Sequence, residues 1–268
     1  MRAESTVSHI LVRNVSIWWT LINLIFYLQV QSIVIRRHKI KMNSVAMVTY
    51  TQKSALLQSL QKLCSIFWGP DLEQCREILV EDYFLPFEVV GNVAGDETQD
   101  TLEKFRNSIR NFSDVNGFFN YLEEAYIRLF VNAMGGITTP LYQSCYSDLK
   151  VTSTKASLMG ESAVLMKQRF ESKGLSLADD LNEPPDHLAI ELEYLYFLLE
   201  KGWADKNIEL VAEAFSFASE SMLPWVVELR NQLKNEIVCP FYPLSAEILV
   251  AILSFIAGFV NDAQWTES

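Results

Sequence analysis

From Thr51 onward apolar residues recur at steps of three and four, the spacing of one face of an α-helix. Thr51 precedes Leu56, Leu57, Leu60, Leu63, Cys64 and Phe67, and Gly69-Pro70 stops the run. Asp71 is placed to cap a second helix carrying Leu72, Cys75, Ile78 and Leu79. Pro86 is expected to break the next short piece, and Gly91 to Gly95 to form a loop. Leu102, Phe105, Ile109 and Phe112 mark another helix. Ser113 or Asp114 opens the one after it, with Phe118, Leu122, Ala125, Tyr126, Leu129 and Phe130 inward. The period then fails between Asn132 and Tyr146, where Gly135-Gly136 and Pro140 punctuate an irregular connection. A loop of that length in a compact domain is usually functional or a hinge.

The helical period resumes near Ser153 and runs to Lys173-Gly174 through Leu158, Ala163, Met166 and Phe170. A loop from Leu175 to Glu183 leads to Leu188, Leu192, Leu195 and Leu199, a helix face expected to close at Lys201-Gly202. Ile208, Val211, Ala212 and Phe215 form a further face. Leu223-Pro224-Trp225 opens a helix reaching Lys234, and Pro240-Phe241-Tyr242-Pro243 is expected to break it. Ser245 to Phe259 is a last, strongly apolar helix with a core pattern. No strand pattern competes over more than a few residues. The predicted fold class is all-α, a single helical body of roughly nine to ten helices in two halves joined by an irregular hinge loop. The expected divisions are an extension at 1–46, a helical half at 47–131, a connection at 132–152 and a second helical half at 153–268.

Composition supports long helices, with 10 Gly and 8 Pro among 268 residues. Charge is uneven. The net is −11, yet residues 1–41 hold six Lys/Arg against one acid, a net of +5 that leaves −16 for the rest. A body that acidic repels phosphate backbones, which excludes nucleic acid as a partner and suits a basic peptide. Residues 14–35 are nearly uncharged and are followed by Arg36, Arg37, Lys39 and Lys41, the pattern of a membrane anchor with its body on the cytoplasmic side. The competing expectation is that translation starts at Met42 or Met47. Cys64, Cys75, Cys145 and Cys239 are too widely spaced for a zinc half-site and suit a reducing compartment.

Chemistry concentrates in Asn182-Glu183-Pro184-Pro185-Asp186-His187. The prolines stiffen the approach to a helix whose first turn meets Asp186, expected as its cap, with His187 beside it. A neighbouring carboxylate would raise the pKa of His187 and orient its ring. Asp186 and His187 are the one candidate acid–base pair, the basis of a hydrolase reading, but no nucleophile, metal cluster or phosphate loop accompanies them. Glu191 and Glu193, like Glu123 and Glu124, do not share a helix face within each pair and are expected to be solvated. Tyr126, Tyr142, Tyr146, Trp225 and Tyr242 bracket this corner, and aromatics with a polar tip suit a peptide groove.

These segments together resemble the TorD/DmsD family of chaperones for molybdenum-containing reductases. Ala125-Tyr126-Ile127-Arg128-Leu129-Phe130-Val131 is similar to its aromatic-x-x-Leu-Phe-Val segment. Thr139-Pro140-Leu141-Tyr142-Gln143-Ser144-Cys145-Tyr146 resembles its Pro-x-x-x-Ser-x-aromatic segment. Asn182 to His187 resembles its Glu-Pro-x-Asp-His motif, and Leu223-Pro224-Trp225 and Pro240-Phe241-Tyr242 resemble two late markers. Tyr126 stands where some members carry Trp, and the segment after Val131 lacks the usual Gly-Pro.

The resemblance implies a cytoplasmic, non-enzymatic chaperone. Its partner is the precursor of a DMSO-reductase-family molybdoenzyme, bound through the twin-arginine leader and held until molybdopterin is inserted. The implied peptide surface comprises Tyr126, Leu129, Phe130, Tyr142, Pro184, Asp186, His187 and Glu191. No cofactor is implied beyond a weak guanine nucleotide, and the state is a monomer or a domain-swapped dimer hinged at 132–146. The family begins with no membrane span, which favours the late start over a membrane-anchored helical interaction protein.

Overall fold

The computed structural model describes residues 50–131, 139–147, 160–178, 181–236 and 239–258. The extension at 1–46, including 14–35, lies outside them, as do 132–138 and 148–159. The described residues are mainly helical, and an isolated antiparallel bridge joins Tyr142 to His187.

In chain order the helices are α1 (Tyr50–Trp68), α2 (Leu72–Ile78), α3 (Leu85–Ala94), α4 (Asp96–Ile109), α5 (Val115–Tyr126), the short α6 (Ser144–Ser147), α7 (Glu161–Ser172), α8 (Leu188–Ala204), α9 (Ile208–Ser216), α10 (Leu223–Asn235) and α11 (Phe241–Gly258). A 3₁₀ turn (Glu81–Phe84) precedes α3. Two π-helical turns interrupt otherwise continuous helices: Ile127–Val131 extends α5, and Phe217–Met222 joins α9 to α10.

Local capping accounts for several starts. The Asp71 carboxylate accepts from Gln74 N at 2.8 Å, Asp114 accepts from Gly117 N at 2.8 Å, and Asn207 accepts from Glu209 N at 3.0 Å. Prolines open helices here. Pro86 and Pro224 lie in the first turns of α3 and α10, where a missing N–H breaks no intrahelical bond. The expected break at Pro86 is therefore a start, and α3 runs through Gly91, where a loop was expected, to Ala94. The expected break at Pro240 to Pro243 is likewise the start of α11. In α9 the buried positions are Leu210, Val211, Ala214 and Phe215, so the face lies one step from the predicted one, with Ile208 and Ala212 outside.

The helices share one core. α1 packs along α8, and α11 lies against α10 and α4, so the first and second halves interleave. α8 buries Leu188, Ile190, Leu192, Leu195, Leu198 and Leu199, each contributing about 1.5–3 kcal/mol relative to exposure. α11 has the length and apolarity of a membrane span, with mean hydropathy 1.8 over 18 residues. Half of it is nonetheless buried. Phe241 meets Phe105 edge-on at 4.9 Å between ring centroids, and the Tyr242 hydroxyl donates to Leu122 O at 3.2 Å.

α8 continues past its expected stop at Gly202 to Ala204, and α9 packs across that glycine. A Cβ there would sit 2.8 Å from Val211 Cγ2 and 3.1 Å from Val211 N. Alanine normally favours a helix interior over glycine by about 1 kcal/mol. Gly202→Ala should reverse that sign, because a backbone atom cannot yield as a side chain does. A loss of about 1–3 kcal/mol is expected from the urea midpoint.

Candidate functional site

The segment 139–147 is irregular, yet its backbone is bonded on three sides. Upstream, Thr139 donates to Leu129 O through both its N–H (3.2 Å) and its hydroxyl (2.9 Å). Leu129 lies in the first π turn, where a widened register alters which carbonyls the helix itself uses. Downstream, Leu188 N donates to Leu141 O at 2.8 Å and Gln143 N donates to Asp186 O at 3.0 Å. The Gln143 side chain donates to Ser221 O at 3.0 Å, in the second π turn.

Asp186 does not cap α8, as its sequence position suggested. Its Oδ2 accepts from Ser144 N at 2.9 Å, at the start of α6. The N-cap of α8 is His187, whose Nδ1 accepts from Ala189 N at 3.2 Å. That bond assigns the ring proton to Nε2. The ring is stacked on Trp68, with centroids 4.9 Å apart and planes 16° apart, and meets Tyr142 edge-on at 5.2 Å. Burial pushes the pKa of His187 down to about 3, opposite to the rise expected from a carboxylate neighbour. A neutral imidazole whose Nδ1 is committed to a helix cap is unsuited to general-base work near neutral pH, which removes the footing of the hydrolase reading.

Glu191 is not solvated either. It is 0% exposed, and its Oε2 accepts from Trp225 Nε1 at 3.1 Å. Burial raises its pKa well above the usual carboxylate range, reinforced by Asp186 and opposed by Trp225 and Arg169. Glu193 turns the other way and accepts from Trp68 Nε1 at 3.2 Å. Glu123 and Glu124 are exposed, as expected.

The sequence-predicted residues thus fall into two layers. Leu129, Phe130, Asp186, His187 and Glu191 are buried, while Tyr126, Tyr142 and Pro184 reach solvent. The Tyr142 hydroxyl donates to Glu183 Oε2 at 2.6 Å. The Tyr126 hydroxyl donates to Phe67 O at 3.1 Å, its ring lying across Gly69. Gly69 has φ +110°, and a Cβ there would sit 3.3 Å from the Tyr126 ring, so glycine satisfies both the turn and the close approach. Burial and the Glu183 charge both raise the pKa of Tyr126 and Tyr142, keeping the two phenols neutral around one carboxylate. The outcome is a half-buried wall of Trp68, Tyr126 and Tyr142 rimmed by Glu183 and Glu193. Trp68 was not among the residues read from the sequence. Its signal was an indole placed immediately before the Gly69-Pro70 helix stop. Among the described residues no group of three metal-ligating side chains converges.

A profile of the nitrate reductase delta subunit family matches residues 96–231 of this chain. Chaperone protein TorD of Photobacterium profundum is 25% identical over 217 residues, which cover 75% of this chain and 94% of that protein. Chaperone protein TorD of Salmonella paratyphi B is 29% identical over 97 residues, 35% of this chain and 45% of that relative, so that match spans less than half its length. Among solved structures, a candidate redox enzyme maturation protein from Archaeoglobus fulgidus aligns over 82% of this chain and 100% of its own, with 17% identity and a TM-score of 0.39.

Asp186→Ala should leave the Ser144 amide without its buried acceptor, at a cost of about 1–3 kcal/mol. Hydrogen exchange should quicken in 139–147 before it does in α8. A second outcome concerns pH. Because the folded-state pKa of His187 lies near 3 against 6.5 unfolded, its contribution is present above pH 6.5 and lost as pH falls toward 3. In that window the wild type should lose about 1.4 kcal/mol per pH unit more than His187→Asn, measured by urea denaturation at a series of pH values.

Proposed function

The chain belongs to the nitrate reductase delta subunit family, a TorD-like family of redox-enzyme maturation chaperones, and on that premise we propose that it binds the twin-arginine leader of a molybdopterin-containing reductase precursor and holds that precursor until its cofactor is inserted. The site is a binding surface rather than a catalytic one. The observation that carries this reading is the half-buried wall of Trp68, Tyr126 and Tyr142 with Glu183 at its rim.

A guanidinium is favoured over aromatic faces and beside a carboxylate, and the apolar stretch after it is favoured on ring surface. Tyr126, Tyr142 and Pro184 contact the peptide in this proposal. Asp186, His187, Leu129, Phe130 and Glu191 lie beneath and position that surface. The body beyond residue 41 carries a net −16, which attracts a cationic leader over distance and makes the association salt-dependent. Such a chaperone works in the cytoplasm, before export of its client. Weak guanine-nucleotide binding and a domain-swapped dimer through 132–146 belong to the same proposal.

The test is calorimetric titration of the full chain with a synthetic twin-arginine leader of a molybdenum-containing reductase. Glu183→Gln should weaken binding about tenfold while leaving the thermal midpoint near wild type, in line with about 1–3 kcal/mol for a charge-assisted bond. Raising salt should weaken the wild type more than the variant. A leader that binds Glu183→Gln as tightly as wild type, or binds neither, would sink this reading.

A further inference from the structure

Helix α8 begins with His187 at its N-cap, which puts Asp186 one residue before the cap and Glu191 at the fourth helical position. Side chains at those two positions meet across the first turn and in most helices form an apolar staple. Here both are carboxylic acids, and both are 0% exposed. Each uses one oxygen: Asp186 Oδ2 takes the Ser144 amide and Glu191 Oε2 takes the Trp225 indole. Each leaves the other oxygen, Oδ1 and Oε1, buried without a partner. A buried carboxylate oxygen without a donor is strongly disfavoured, and two of them in ionised form at the staple positions of one helical turn are worse.

We infer that Glu191 is held as the neutral acid and donates its Oε1 proton to Asp186 Oδ1, so that one proton closes the α8 staple and locks segment 139–147 against it. A single proton satisfies both unpartnered oxygens at once. The groups acting on Glu191 are Asp186 from the loop before α8, Arg169 from α7 and the Trp225 indole from α10. Arg169 does not replace the proton, because it donates to neither unpartnered oxygen and its Nη2 is engaged with Ser221 Oγ at 3.0 Å. The direction of the Glu191 shift, upward through burial and the Asp186 charge, agrees with this assignment. The lock is independent of any peptide and stands whether or not a leader binds.

The sign of the pH effect follows. The unfolded chain releases the Glu191 proton near pH 4.5, while the folded chain keeps it. The folding equilibrium constant therefore falls about tenfold per pH unit above that point, until Glu191 itself ionises in the fold. Glu191→Gln preserves the geometry with a donor that cannot ionise: its amide N–H donates to Asp186 and its carbonyl accepts from Trp225. Urea denaturation from about pH 5 to about pH 8 should show a wild-type loss that Glu191→Gln lacks, by that factor per unit. Faster amide exchange in 139–147 at the high end should appear in wild type only. Identical pH slopes in the two proteins would overturn the assignment. Should Glu191→Gln fail to fold, infrared spectroscopy of the wild type at about pH 7 decides. A buried protonated-carboxyl stretch supports the lock, and its absence refutes it.

Discussion

One buried carboxylate holds together the irregular part of this fold. Asp186 accepts two successive amides of segment 139–147, Gln143 N at its main-chain carbonyl and Ser144 N at its side chain. The Tyr142–His187 bridge is fixed between those contacts, and with it the ring that Trp68 stacks upon. A helix bundle without this clasp would still bury α1 against α8. It would lack the arrangement that brings Tyr142 and Glu183 beside Tyr126. Local helix signals build the scaffold, and a single desolvated acid registers its most irregular strand of chain upon it.

The division between what the sequence discloses and what it hides follows the range of the interactions. Asp71 and Asp114 cap helices through amides two or three residues away, so their roles are readable from local pattern. The prolines at 86 and 243 are ambiguous, since proline is compatible with the first turn of a helix and incompatible with its interior. Asp186 misleads because a local rule and a distant partner compete for it. The cap goes to His187 because the acid is drawn 42 residues back to Ser144. Glu191 and Glu193 do point in different directions, as helix geometry requires, but each finds an indole in place of water.

The segments that carry the family resemblance come together in one region of the fold, in two layers. Residues in the shared motifs fall on both sides of the surface: Phe130 and Asp186 inside, Tyr142 and Pro184 at the boundary. A substitution in the motif therefore acts in one of two ways. It removes contact area, or it disturbs the backbone that presents that area. Trp68 connects the two layers, with one face on His187 and its N–H on Glu193.

The neutral imidazole beneath Trp68 also fixes the electrical character of the wall. Histidines near binding clefts commonly gain charge as a compartment acidifies, and a cation there would oppose a cationic guest. Burial removes that option from His187. The imidazole consequently adds no positive charge beneath the wall through mild acidification, and the aromatic surface rests on an uncharged footing.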